Sequence, residues 1–348
     1  MKSSAIFPAA AASIALAGCA GIEYYAQAIS GQLEILRRAE PIERALAQPG
    51  ASAQLKARLE RVLRMRAFAS RELALPDNES YRRYADLGRQ YVVWNVFAAP
   101  EFSVEPKQSC FPFAGCVDYR GFFAEADARG HAAGLRSQGY DVFVAGAPAY
   151  STLGWFDDPV LSTFVNYPEA EVARLIFHEL AHQLLYLRDD STFNESFAVS
   201  VEEEGVSRWL KSEGDAAEHR AWEALRQRRR AFIDLVQEYR AKLAAFYAAG
   251  GSAEEKRAGK ARLFAQMHAQ YAELQRSRGG FAGNDRLFAQ GANNALLASV
   301  VTYTQFVPAF RALLERDGGD LPRFYADVKR IAKLDKPERE AQLARPAR

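Results

Sequence analysis

His178-Glu179-Leu180-Ala181-His182 puts two imidazoles and a carboxylate within five positions, inside the apolar run from Leu175 to Leu184. On a helix the two histidines stand one turn apart on one face, where both could bind one ion at about 2.0 to 2.1 Å. Glu179 flanks that face, and a carboxylate there could hold the attacking water and take its proton during attack on a carbonyl. The pattern points to one zinc ion and to hydrolysis. With five His among 348 residues, such a pair with Glu in second place arises by accident roughly 0.004 times per chain. Phe177, Leu180, Ala181 and Leu184 fall on the opposite arc, so the helix can bury one side and offer the other. The bland alternative is a core helix with two surface histidines.

Two histidines do not complete a catalytic zinc, which typically has three protein ligands and one open position. The next candidate is Glu195 in Asn194-Glu195-Ser196-Phe197-Ala198, beyond a short loop at Arg188 to Ser191. A helix beginning near Thr192 and packed on the first could deliver it. Thr192-Phe193-Asn194-Glu195 is also a capping-box pattern, in which the Glu would bond the helix start instead.

The elements that must position these groups follow from composition and periodicity. Of the residues, 49% are hydrophobic and 25% charged, an ordinary globular balance with ample material for a core. A net charge of +2, with acidic and basic residues interspersed, gives no sign of a nucleic-acid partner. Lys2, the apolar stretch Ala5 to Ala17 and Leu16-Ala17-Gly18-Cys19 read as a signal segment too short to span a bilayer. That leaves Cys110 and Cys116 as an even pair in an oxidising compartment, and a disulfide between them is expected, turning at Pro112 and Gly115.

The fold expected is α+β and mainly helical, a zincin-like catalytic core with a small mixed sheet, an N-terminal helical layer and a long helical hairpin. Its parts would be a signal peptide over 1–18, the helical layer over 19–85, the catalytic core over 86–211, the hairpin over 212–278 and C-terminal helices over 279–348. Tyr91 to Phe97, Cys116 to Phe123, Asp141 to Ala145 and Tyr150 to Phe156 are the candidate strands, with a helix from Ala124 to Gln138. Glu169 to Leu187 is the motif helix. Trp222, Leu225, Phe232, Leu235, Tyr239 and Phe246 form one apolar stripe of the hairpin, which turns at Gly250-Gly251-Ser252 and reads as an insertion or arm. Its stretch Arg226 to Arg230 reads as a solvated face, or else as a contact for lipid headgroups.

Leu-Ala-Gly-Cys resembles the lipobox of bacterial lipoproteins. That resemblance implies a mature chain beginning at an acylated Cys19, and Ala20 in the next position implies the outer membrane, facing the periplasm. His178 to His182 followed by Asn194 to Ala198 resembles the gluzincin pattern, especially that of aminopeptidase N-type enzymes, which implies Glu195 as third zinc ligand. Glu202, seven positions on, matches a further Glu near substrate and metal, although it also belongs to the charged run Glu202-Glu203-Glu204. The chain as a whole resembles a family of bacterial lipoproteins described as predicted zinc aminopeptidases. The matching stretches include Tyr24 to Gln32, Cys110 to Gly121, Tyr150 to Pro159, His178 to Gln183, Phe193 to Glu204 and Tyr303 to Phe310.

One segment departs from the pattern. Aminopeptidase N-type enzymes bind the substrate amine with a Gly-x-Met-Glu-Asn segment, which is absent here; Tyr150 to Asp158 occupies its place and would be the edge strand that pairs with substrate. Asp157 or Asp158 could hold the amine, or both could belong to a turn at Asp-Asp-Pro. For the oxyanion, Tyr303 is the first candidate donor and Tyr150 the second. Asn194 and Glu202 would stand behind the metal ligands. The expected activity is that of a zinc aminopeptidase acting on peptides and anchored to a membrane by lipid. An envelope endopeptidase and a non-catalytic structural lipoprotein are the competing readings.

Overall fold

The computed structural model describes residues 7–112, 115–278, 288 and 291–344, with 7–22 and Arg278 as backbone only. The lipidation expected at Cys19 therefore falls on a side chain outside the described set, as does most of 279–290. The chain begins with helices α1 (Phe7–Arg38), α2 (Ile42–Ala47) and α3 (Ala53–Leu73), with the short strand β1 (Glu40–Pro41) between the first two. Ser52 starts α3 by accepting a hydrogen bond from the Leu55 amide, and Ala74 ends it in a left-handed conformation. Strands β2 (Arg83–Ala85), β3 (Val93–Pro100), β4 (Ser109–Phe111), β5 (Gly115–Val117) and β6 (Tyr119–Phe122) follow, then helix α4 (Glu125–Ser137) and strands β7 (Tyr140–Ala147) and β8 (Val160–Leu161).

β6, β3 and β7 form an antiparallel sheet in that order. Alternation along its strands feeds two cores: Val96, Ala98, Val142 and Val144 face α4, whereas Phe97, Ala99 and Phe143 face the other side. β1, β2 and β8 form a second small sheet, parallel only between β2 and β8. β4 and β5 make a hairpin in which Cys110 and Cys116 are opposed and joined by a disulfide. The strand expected near Tyr150 to Phe156 is absent: that stretch is a series of bends, with Leu153 and Gly154 at positive φ.

Helix α5 (Glu169–Leu184) begins after Pro168, with Glu169 and Glu171 in its first turn, where carboxylates meet the positive end of the helix dipole. Helix α6 (Ser191–Glu213) lies against it. Its N-cap is Asp190, whose Oδ1 accepts from the Phe193 amide at 3.1 Å, so the alternative capping box at Thr192 does not form and Glu195 is free for another role. α6 is buried on nearly all sides, with Phe193, Phe197, Val201 and Trp209 in the main core, which is why it has little amphipathic pattern.

Helices α7 (Ala216–Ala248) and α8 (Ala253–Arg278) form the antiparallel hairpin, reversing at Gly250 and Gly251. Helices α9 (Asn294–Thr304), α10 (Val307–Arg316), α11 (Leu321–Ala332) and α12 (Lys336–Leu343) complete the fold. The hairpin is more than a projecting arm: Phe232, Leu235, Val236, Tyr239 and Leu243 of α7 share a core with Leu297 and Val301 of α9. Phe310 and Phe324 of α10 and α11 pack on Phe197 of α6, so the C-terminal helices back the site helices.

Candidate metal centre

One turn of α5 sets the rings of His178 and His182 nearly perpendicular, and their Nε2 atoms lie 3.1 Å apart. Glu195, in the second turn of α6, brings Oε2 to 3.2 Å from His178 Nε2 and 3.5 Å from His182 Nε2. Three ligands at about 2.0 to 2.2 Å from a tetrahedral ion are separated by roughly 3.3 to 3.5 Å. The observed triangle fits that demand, all three residues are buried, and among the described residues no other His, Cys, Asp and Glu group does so.

The electrostatics point the same way. Burial alone would depress the imidazolium of His178, but hydrogen bonds to Glu195 and Glu202 hold it up, to about 10. Burial would raise Glu195, yet the two histidines bring it down to about 2. A cavity that stabilises positive charge between two buried carboxylates is one that accepts a cation.

Behind the ligands runs a chain of alternating charges. Glu202 Oε2 accepts from His178 Nδ1 at 2.8 Å, which leaves Nε2 free to face the ion. The same oxygen accepts from Arg174 Nη1 at 3.0 Å; Arg174 Nε donates to Glu171 Oε2 at 3.0 Å, and Glu171 takes Arg229 Nη2 at 2.8 and 2.9 Å. Arg174 and Glu171 went unnoticed in the sequence, although Arg174 stands four positions before His178 on the same helical face. Arg229 carries no such local signal, because the hairpin alone brings it here.

His178 and Glu179 line a cavity of about 390 Å³ with Ala145, Gly146 and Ala147 of β7, Phe232 of α7 and Tyr303 of α9. Burial raises the carboxyl of Glu179; the neighbouring histidines oppose that rise. The Tyr303 ring stacks on His178 with centroids 6.3 Å apart, and burial together with Glu195 keeps its phenol protonated well above the ordinary range. It is thus a standing hydrogen-bond donor. Tyr119 responds in the same way to burial, to Glu195 and to Glu179, a neighbour that no spacing in the sequence marks.

The other sequence candidates are placed differently. Asn194 clamps the loop between α5 and α6, donating to the Leu187 carbonyl and accepting from the Leu187 amide, both at 2.7 Å. The disulfide hairpin braces the same loop, since the Cys116 amide donates to Asp189 at 2.6 Å. Asp158 is buried but spent on its own loop: it accepts from the Thr152 amide at 2.9 Å and from the Thr152 hydroxyl at 2.8 Å. Asp157 is exposed. The Tyr150 hydroxyl is buried with no hydrogen-bond partner among the described residues, and Tyr150 is not among the residues lining the cavity. The sheet edge beside the metal candidates is therefore β7, not Tyr150 to Asp158. Arg226 to Arg230 is not simply a solvated face either, for Arg229 reaches the site.

A buried His-His-Glu group on two packed helices, with a glutamate beside a sheet edge and an open cleft, defines a candidate metal centre facing a substrate cavity. The chain belongs to the family described as "Putative aminopeptidase", whose sequence model matches residues 23–343. Peptides are the substrates this membership implies, and peptidase is the activity. No curated protein and no solved structure matches it.

Proposed function

We propose that the protein is a zinc-dependent aminopeptidase of gluzincin type, holding one zinc ion per chain through His178, His182 and Glu195. The observation that carries this reading is the convergence of three buried ligand atoms within 3.1 to 3.5 Å of one another, beside Glu179 and a cleft. Zinc held there supplies Lewis acidity, which makes water nucleophilic near neutral pH and polarises the scissile carbonyl.

The chain's own residues do the rest. Glu179 takes the proton of the attacking water and passes it to the leaving amine, its buried carboxyl being a stronger base than an exposed one. Tyr303 donates to the oxygen that gains charge, and Glu202 fixes the His178 tautomer from behind. The unpaired edge of β7, at Ala145 to Ala147, offers main-chain groups to an extended peptide. Acylated Cys19 anchors the chain to the outer membrane with this site in the periplasm.

A structural metal role fits less well, because a closed zinc site takes a fourth protein ligand and gives Glu179 nothing to do. The test is zinc stoichiometry, with hydrolysis of aminoacyl amides and of N-blocked peptides, for wild type and Glu179→Gln. Zinc retained with activity lost supports the mechanism, and equal activity in the variant removes Glu179 as base. Cleavage of blocked peptides would favour the endopeptidase alternative. Membrane fractionation of Cys19→Ala tests the anchor, which fails if the variant stays membrane-bound.

A further inference from the structure

We propose that α7 builds a carboxylate-binding pocket beside the cleft that holds Glu179, with Arg230 as the residue that takes a carboxylate of a short peptide substrate. The inference rests on the peptidase reading and adds the class of peptide. A second cavity, of about 410 Å³, adjoins the one that holds His178 and Glu179. The two share Arg174, Val199, Arg229, Ile233, Tyr303 and Thr304 as walls, so they lie side by side. Spaces of this size enclose small molecules and not long chains.

The charges of the second cavity are unevenly satisfied. Among its carboxylates, Glu202 is held by His178 and Arg174, Glu223 by Arg226 at 3.0 Å, and Glu203 by Arg226 at 3.4 Å and Arg311 at 2.5 Å. Arg230 stands one turn after Arg226 at the open rim of the same cavity, where it is exposed and makes no hydrogen bond or ion pair among the described residues. Asp234, one turn further, also lines it but is not paired with Arg230. The Arg226 Nε is buried without an acceptor, a state that an incoming oxygen relieves. A guanidinium fork matches a carboxylate in both shape and charge. A peptide can supply one from its C-terminus or from an acidic side chain.

The test is calorimetric titration of the zinc-loaded full chain, wild type and Arg230→Gln, with a tripeptide whose first peptide bond is reduced to an amine. It is offered as the free acid, as the C-terminal amide, and as the amide with Glu in the third position. For wild type the acid should bind about tenfold or more tightly than the plain amide, and that advantage should disappear in Arg230→Gln. An advantage regained by the Glu-containing amide identifies a side-chain carboxylate as an accepted source; no gain leaves the C-terminus as the source. Equal binding of acid and plain amide by wild type, or an acid advantage undiminished in the variant, overturns the proposal. Binding is read without turnover, so an inactive Glu179→Gln or an unexpected cleavage specificity bears on the peptidase reading and not on this one.

Discussion

Two long helices wall the cleft, and they hold their polar groups in opposite ways. α6 buries Asn194, Glu195, Ser196, Ser200 and Glu202 among aromatic neighbours, and both of its site carboxylates have fixed partners. α7 is amphipathic, with one stripe in a core shared with α8 and α9 and its arginines along the cleft, some paired and one unpaired. Buried polar groups must be satisfied or they cost stability, so those of α6 are held in one geometry, as ligands must be. Arginines in contact with solvent pay less for waiting, and Arg230, the unpaired one, is exposed, which suits a group that meets a ligand only when it arrives.

The largest expected effect sharpens that contrast on the α6 side. Glu195→Ala removes one of the three proposed ligands and should abolish stoichiometric zinc, with activity falling by about 10³ or more; metal analysis of the purified variant checks this, and full zinc content would remove Glu195 from the proposed ligand set. Glu202→Gln keeps a hydrogen-bond acceptor for His178 while losing the charge that binds Arg174. Zinc affinity should weaken by about 10- to 100-fold, measured by competition with a chromogenic chelator, and an unchanged affinity would make Glu202 a packing residue only.

Packing tests the same comparison. A methyl group on Gly205 of α6 would sit 2.8 Å from both Leu73 and Phe177, and both of these are fully buried. On Gly259 of α8 it would meet the Phe246 ring end at 2.0 Å, but that ring is only partly buried and can swing outward. Gly205→Ala should therefore cost about 1 to 3 kcal/mol in urea unfolding, and Gly259→Ala clearly less. The reverse order would mean that α6 is the looser of the two helices.

What the sequence discloses follows the same division. The grouping of His178, His182 and Glu195 is legible because it depends on local helical spacing and one short loop. The strands at Val93–Pro100 and Tyr140–Ala147 and the helix at Glu125–Ser137 are legible from period and β-branched content. Tyr150 to Asp158 misleads: its aromatic content looks strand-like, whereas Asp158 closes it into a loop through Thr152 and Ser151. Asp190 takes the cap from Thr192 because Arg339 of α12, 149 positions away, holds its second oxygen at 2.6 Å, and no local pattern carries that. Arg229 and Arg230 are illegible for the same reason, since only the docking of α7 on α9 turns them toward the cleft.

The smallest expected effect asks how far α7 is coupled to the metal site at all. Arg229 lies four links from His178, through Glu171, Arg174 and Glu202. Arg229→Ala leaves Glu171 with Arg174 as partner, and Arg174 still holds Glu202, so the nearest link to His178 survives. The two outer pairs, Arg229–Glu171 and Arg174–Glu171, are partly exposed to solvent and screened, so the loss should attenuate before it reaches the buried Glu202–His178 pair. Zinc affinity should fall about threefold at most, against the 10- to 100-fold of Glu202→Gln. Should Arg229→Ala match Glu202→Gln in the chelator competition, the hairpin would be part of the metal site and the contrast between the two helices would fail. Combining the two substitutions decides between these cases, because independent contributions add and a single continuous chain would show no further loss once Glu202 is gone.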